Sequence, residues 1–117
     1  MFDIRKLIGE TTEYDKKQSL ESRKPKSWLK SVSAFANGEG GALIFGIADD
    51  GTVTGLDNAE RDAETISEQI KSRMEPIPEF NLKFEMADDK TLIILRVNKG
   101  NETPYYYTGD GVLETFI

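Results

Sequence analysis

Six cations, Lys16, Lys17, Arg23, Lys24, Lys26 and Lys30, fall within fifteen residues near the start of this chain. Gathered on one surface, side chains of that kind contact phosphates and release condensed counterions from a nucleic acid. The net charge of −6 argues against such a partner only until its distribution is read. Residues 1–33 carry eight Lys/Arg against five Asp/Glu, a local +3, whereas residues 34–117 carry seven against sixteen, a local −9. A basic stripe thus lies on an acidic body, and a phosphate responds to the local field. The same six residues are equally what a solvated loop and helix face would show. Other chemistries are excluded outright, because the chain has no His and no Cys. A Ser-His-Asp triad, a zinc hydrolase site, a thiolate metal site and a disulfide are all impossible within it. Any metal would have to be held by oxygen, which suits Mg²⁺ or Mn²⁺. Acidic residues make up 21 of 117, so a carboxylate at any one position carries little information.

Hydrophobic periodicity defines the elements that must position those residues. A length of 117 residues makes one domain, residues 1–117, with a modest core. No apolar run approaches the roughly 20 residues of a membrane span, and the first residues do not form a signal peptide, so a cytoplasmic location is expected. Phe2 to Leu7 reads as a short helical turn with Ile4, Leu7 and Ile8 inward. Residues 9–26 are polar and read as a loop or weak strand anchored by Tyr14 and Leu20. Lys26 to Asn37 has apolar residues at helical spacing (Trp28, Leu29, Val32, Phe35, Ala36) and Pro25 at its start. Ala42 to Ala48 is a nearly continuous apolar run, a strand buried on both faces, with Val53 on a second strand across the Asp-Asp-Gly turn. Asp57 and Asn58 can cap a helix running to about residue 74 through Ala63, Ile66, Ile70 and Met74, and Pro76 and Pro78 stop it. Phe80 to Met86 alternates with period two, Ala87 to Lys90 turns, and Thr91 to Val97 returns as an apolar strand. Tyr105–Tyr107 and Val112–Ile117 add edge strands. The fold class is α+β: a two-layer sandwich of a mostly antiparallel sheet packed by two main helices. A single core is expected from Trp28, Val32, Phe35, Leu43, Phe45, Ile47, Ile66, Ile70, Ile93 and Leu95.

The segment Ala34 to Gly55 is the most specific in the chain. An Ala-Phe-Ala-Asn stretch ends a helix at Asn37; two residues and the pair Gly40-Gly41 come next. An apolar strand then runs through Gly46 to Asp49-Asp50-Gly51, with Gly55 closing the series. Gly38, Gly40 and Gly41 are expected to turn the chain off the helix in left-handed conformations. Gly46 permits close approach to a strand, and Gly51 closes a turn. This ordered run resembles the Schlafen/AlbA-type DNA-binding domain, a family also labelled divergent AAA and common in bacterial transcription regulators. The resemblance extends upstream, where family members place a Glu and, five residues on, an acidic-aromatic-Lys triplet. Those positions are Glu10 and Asp15-Lys16-Lys17, with Asp for the usual Glu and Lys16 for the usual aromatic. Downstream, Pro104 and Tyr105–Tyr107 precede an apolar strand that in the family leads into Arg-x-Gly. The chain stops at Ile117, where that arginine would come next, so it reads as a domain cut from a longer protein.

The resemblance implies nucleic acid, DNA in the first place, as the partner of an accessory domain in a transcription regulator. It also implies an alternative, because some Schlafen domains are metal-dependent ribonucleases with an acidic trio. The matching positions are Glu10, Asp15 and Asp49, with Asp50 a rival for the last, and Mg²⁺ or Mn²⁺ would be the metal. Read on their own, these residues call for no metal or other cofactor: Asp49 and Asp50 suit a turn, and Glu10 can pair with Lys17. A third reading is a structural module in which a sheet edge and the tyrosine stretch make protein contacts, including a homo-oligomer. The divergent-AAA label invites ATP at Asn37 to Gly41, but the order of elements opposes it. A phosphate loop runs from strand to glycines to a helix N-terminus. Here helix precedes glycines and strand, Glu39 sits within the loop, and no Gly-Lys-Ser/Thr comes after it.

Overall fold

The computed structural model describes residues 3–117; the expectation for Phe2 lies outside them. A short helix α1 (Ile4–Ile8) leads into β1 (Tyr14–Lys17), followed by α2 (Lys26–Asn37), β2 (Gly41–Phe45) and α3 (Ala59–Arg73). Next come β3 (Met74–Glu75), β4 (Phe80–Ala87), β5 (Lys90–Val97), β6 (Tyr106–Tyr107) and β7 (Glu114–Thr115). Four strands form the main sheet in the order β1-β2-β5-β4, and β3-β6-β7 form a small second one. The α+β sandwich is as the sequence implies. Residues 9–26 do hold a strand, β1, and it pairs parallel to β2, while β2–β5 and β5–β4 are antiparallel. Val53 makes only an isolated antiparallel bridge to Ile47. The strand expected over 112–117 shortens to Glu114–Thr115 and joins the second sheet.

Every residue of β2 is buried, because both of its faces are covered. On one face Leu43 and Phe45 pack with Trp28, Leu29, Val32, Ile66, Ile70, Ile93 and Leu95 beneath α2 and α3. Trp28 meets Phe45 edge-on, with ring centroids 5.8 Å apart and planes at 86°, the geometry that aromatic quadrupoles favour. On the other face Ala42, Ile44, Leu92 and Ile94 pack with Ile8 under α1. The single expected core is therefore two, and Ile47 belongs to the second rather than to that of Leu43 and Phe45. Gly46 is the cause. Its φ of +107° breaks the alternation after Phe45, so Ile47 points to the opposite face from the one period two would give it. Of the three glycines after α2, only Gly40 is left-handed, with φ +82°. Gly38 has φ −107°, and Gly41 instead leaves room for the ring of Phe35.

The second sheet has strands of two residues, too short to stand alone. Asn37 and Ser33, one turn apart on α2, hold it in place. The Asn37 amide donates to the carbonyls of Tyr105 (3.1 Å) and Phe116 (3.0 Å), and its Oδ1 accepts the Tyr105 N–H at 2.7 Å. Ser33, fully buried, donates to the Tyr105 carbonyl at 2.8 Å and accepts the Phe116 N–H at 3.2 Å.

Two substitutions test this architecture. Phe45→Ala should lower unfolding free energy by about 3–5 kcal/mol in urea titration, as aromatic truncation in a closed core does; a variant that melts like the parent would refute two-sided burial of β2. Asn37→Ala leaves the Phe116 carbonyl and the Tyr105 N–H without partners, and the Tyr105 carbonyl with Ser33 alone, and should cost about 2–4 kcal/mol. Asn37→Asp can still accept from Tyr105 but turns a negative charge towards two carbonyls, so its folded carboxyl pKa is raised. Its deficit should therefore shrink between about pH 7 and about pH 4, as the protonated acid regains a donor; a pH-independent deficit would count against the clamp.

Candidate nucleic-acid interface

The six cations of the basic stripe fall into three groups. Lys16 and Lys17 are neighbours on β1, so pleating sends them to opposite faces of the sheet. Lys16 donates from Nζ to the Asp49 carbonyl at 2.7 Å, at the α1 side. Lys17 turns to the α2 side, where its ammonium meets the Ser27 carbonyl at 3.2 Å and the Asp15 carboxylate at 3.4 Å. Lys26 is taken by the second sheet. Its ammonium lies 2.7 Å from Glu114 and 3.8 Å from Asp110, and 6.0 Å from the ring centroids of Tyr107 and Phe116. The hydrogen bond to Glu114 holds its pKa above the ordinary lysine value despite some desolvation.

Arg23, Lys24 and Lys30 form the third group. All three are exposed, and none makes an ion pair with a described residue. Arg23 and Lys24 stand just before the N-cap of α2, and Lys30 lies in its second turn. Pro25 is buried at its N-cap, and Trp28 and Leu29 fix the first turns into the core, leaving Lys30 outward one turn beyond Lys26. The first turn of α2 contains no acidic residue and no side chain caps it, so the positive end of the helix dipole adds to the field of these cations.

The acidic positions are placed apart. Glu10 precedes β1 and Asp49 lies beyond β2, and since these strands run parallel the two residues stand at opposite ends of the sheet. Asp15 lies between them on the α2 face, where it accepts a hydrogen bond from Ser31 Oγ at 3.2 Å and pairs with Lys17. No group of three acidic side chains able to hold a metal occurs among the described residues. Asp50 closes its turn by accepting the Thr52 N–H at 2.9 Å, and that bond, with one from the Thr52 hydroxyl, keeps its carboxyl below the ordinary pKa.

The glycine loop stands at the C-terminal end of α2. The N–H groups of Gly38 and Gly40 both donate to the Phe35 carbonyl, at 3.1 and 2.9 Å, and are thereby spent on closing the helix. A cleft of about 460 Å³ lies beside it, lined by Thr11, Thr12, Gly40, Gly41 and Arg96 among others. Its cations are engaged locally: Arg96 donates to the carbonyls of Leu7 and Ile8, and Lys99 pairs with Glu39 at 3.3 Å.

Three side chains have partners that the sequence pattern does not give. Glu114 neutralises Lys26 from 88 residues away, and Asn37 reaches Phe116 across 79; only long-range pairing reveals either. Arg5, not counted among the phosphate ligands, lies 4.5 Å over the Tyr14 ring and donates to the carbonyls of Glu10 and Thr12. Its proximity to Tyr14 in sequence is the one available clue.

Solved structures show the same fold. The N-terminal domain of a RecG-related protein from Nitrosomonas europaea, determined by NMR in solution, superposes with a TM-score of 0.70 at 24% identity, over 98% of this chain and 84% of that one. The DIP2311 protein from Corynebacterium diphtheriae gives a TM-score of 0.57 at 19% identity, over 87% of this chain; the match spans only 22% of that longer protein. No curated protein matches the chain. The family model for Schlafen, AlbA_2 matches residues 10–115, nearly the whole sequence. The chain belongs to the Schlafen AlbA_2 family.

Proposed function

We propose that this domain binds nucleic acid, DNA before RNA, through phosphate contacts at the start of α2, as an accessory module of a bacterial transcription-related protein. The observation that carries the reading is the group Arg23, Lys24 and Lys30, exposed and unpaired among the described residues, in a chain whose net charge is −6. Three cations beside an uncapped helix start form a small electropositive field that an acidic remainder orients by repelling phosphates elsewhere. Lys17 and Lys26 contribute less, since Asp15 offsets the charge of the first and Glu114 and Asp110 that of the second. Membership of a family labelled DNA-binding adds to the reading. So does the Nitrosomonas europaea neighbour, whose name relates it to an ATP-dependent DNA helicase. Contacts of this kind carry no base readout, so the binding is weak and indifferent to sequence.

The test is the salt dependence of affinity for a random duplex, measured by fluorescence anisotropy. The logarithm of the binding constant should fall linearly with that of salt, and Arg23→Gln, Lys24→Gln and Lys30→Gln should each reduce the slope by about one. Lys26→Gln should change it less. No binding at low salt, or a slope unmoved by the triple variant, would refute the reading. Retained melting temperature in each variant separates lost contact from lost fold.

A further inference from the structure

The outer strand of the main sheet carries a pattern that fits a second copy of itself. β4 is eight residues long and ends the order β1-β2-β5-β4, so one row of its backbone N–H and C=O groups has no strand to pair with among the described residues. Natural sheets protect such edges with charges, prolines or bulges. Here the charges cancel instead: Lys83 and Glu85 share one face of the strand and form an ion pair at 2.9 Å. On the other face Phe80 and Leu82 pack into the core under α2 and α3. Phe84 and Met86 continue that apolar row but remain 50% and 64% exposed.

We propose that two copies of this chain pair through β4, antiparallel about a two-fold axis at Phe84, to make one continuous eight-stranded sheet. In that register Lys83 faces the partner copy's Glu85 and Glu85 faces its Lys83, giving two opposite-charge pairs on one face. On the other face Phe84 meets its own counterpart, and Leu82 meets Met86 twice. Directly opposed side chains in an antiparallel pair have Cβ atoms about 5 Å apart, close enough for every one of these contacts. The neighbouring registers that keep the same faces aligned fail. A shift to a two-fold at Lys83 opposes Lys83 to itself, and one at Glu85 opposes two carboxylates. A shift by a single residue turns one copy over and sets its apolar row against the other's charges. The strand is therefore self-complementary in charge and in apolarity at one register, as an isologous contact requires.

Sedimentation velocity over a range of protein concentrations measures the association directly, with circular dichroism to verify that each variant is folded. The parent chain should show a concentration-dependent dimer. Lys83→Glu and Glu85→Lys each convert both attractive pairs into like-charge pairs and should weaken the dimer by about tenfold or more. The double variant Lys83→Glu with Glu85→Lys restores opposite charges and should restore the dimer. An equimolar mixture of the two single variants should form a heterodimer tighter than either homodimer. A parent that stays monomeric at about millimolar concentration, a dimer indifferent to both single changes, or a double variant as weak as the singles would each overturn the proposal.

Discussion

Asn37 sits at the last turn of α2 and reaches a segment nearly seventy residues further on. With Ser33 it satisfies both backbone groups of Tyr105 that point at the helix and both of those at Phe116. Two-residue strands bring too few ladder bonds to offset their ordering entropy, so the second sheet depends on the Asn37 and Ser33 bonds and on the burial of Met74, Tyr105 and Tyr107. Once α2 holds that segment, Tyr105 and Tyr107 enter the main core, and Glu114 comes within reach of Lys26. The helix is consequently committed on two sides: Trp28, Leu29 and Val32 to the sheet, Ser33 and Asn37 to the C-terminal segment. The surface left to solvent is a narrow strip that includes Lys30, and the loop before the helix leaves Arg23 and Lys24 exposed as well.

That commitment decides which cations stay available. Proximity in sequence suggests one stripe of six, but two ordinary constraints divide it. Pleating separates Lys16 from Lys17, and an acid delivered by the second sheet offsets Lys26. The residues left over are those that no element needs. Carboxylates divide in the same way. In a parallel pair, the residue before one strand and the residue after the other stand a full strand length apart. Glu10 and Asp49 are therefore parted by the topology that the burial of β2 enforces.

Long, strongly patterned elements are legible in the sequence because their pattern is local. Helix α2 runs from Lys26 to Asn37 as its periodicity and Pro25 require. Helix α3 begins after Asn58, whose side chain accepts the Arg61 N–H. The β4–β5 hairpin comes from alternation on one strand and a polar turn. The rest depends on distance. β1 looks like a loop because its four residues are polar and half-buried, and only pairing with β2 makes them a strand. Period two puts Ile47 on the wrong face because it assumes an unbroken strand, and one glycine with positive φ interrupts it. At the site, the identities of the cations can be read but not their pairing state, which is set by residues as remote as Glu114. The Ala-Phe-Ala-Asn stretch is recognisable as a motif without its cause being visible: the asparagine is a clamp, and its amide offers both donors and an acceptor there without charge.

The two edges of the main sheet bear different features, and their separation links the two proposals. β1, with Lys17 and the start of α2 beside it, lies at one edge, and β4 lies at the other. A two-fold axis perpendicular to the sheet at Phe84 keeps both copies of α2 on the same face. It also places the two β1 strands seven spacings apart, about 34 Å at about 4.8 Å per strand. One turn of B-form DNA advances by about the same distance. A dimer so built would carry two basic groups, and on a duplex long enough to reach both, binding at the second would occur at high effective concentration. Lys83→Glu, which lies far from the basic groups, should then weaken binding to a duplex of several turns while leaving binding to one shorter than a turn nearly unchanged. Adding Glu85→Lys should restore the longer duplex's advantage. Equal losses on both duplexes would mean that Lys83 acts as a simple phosphate contact, and no loss on either would mean that the copies bind DNA singly.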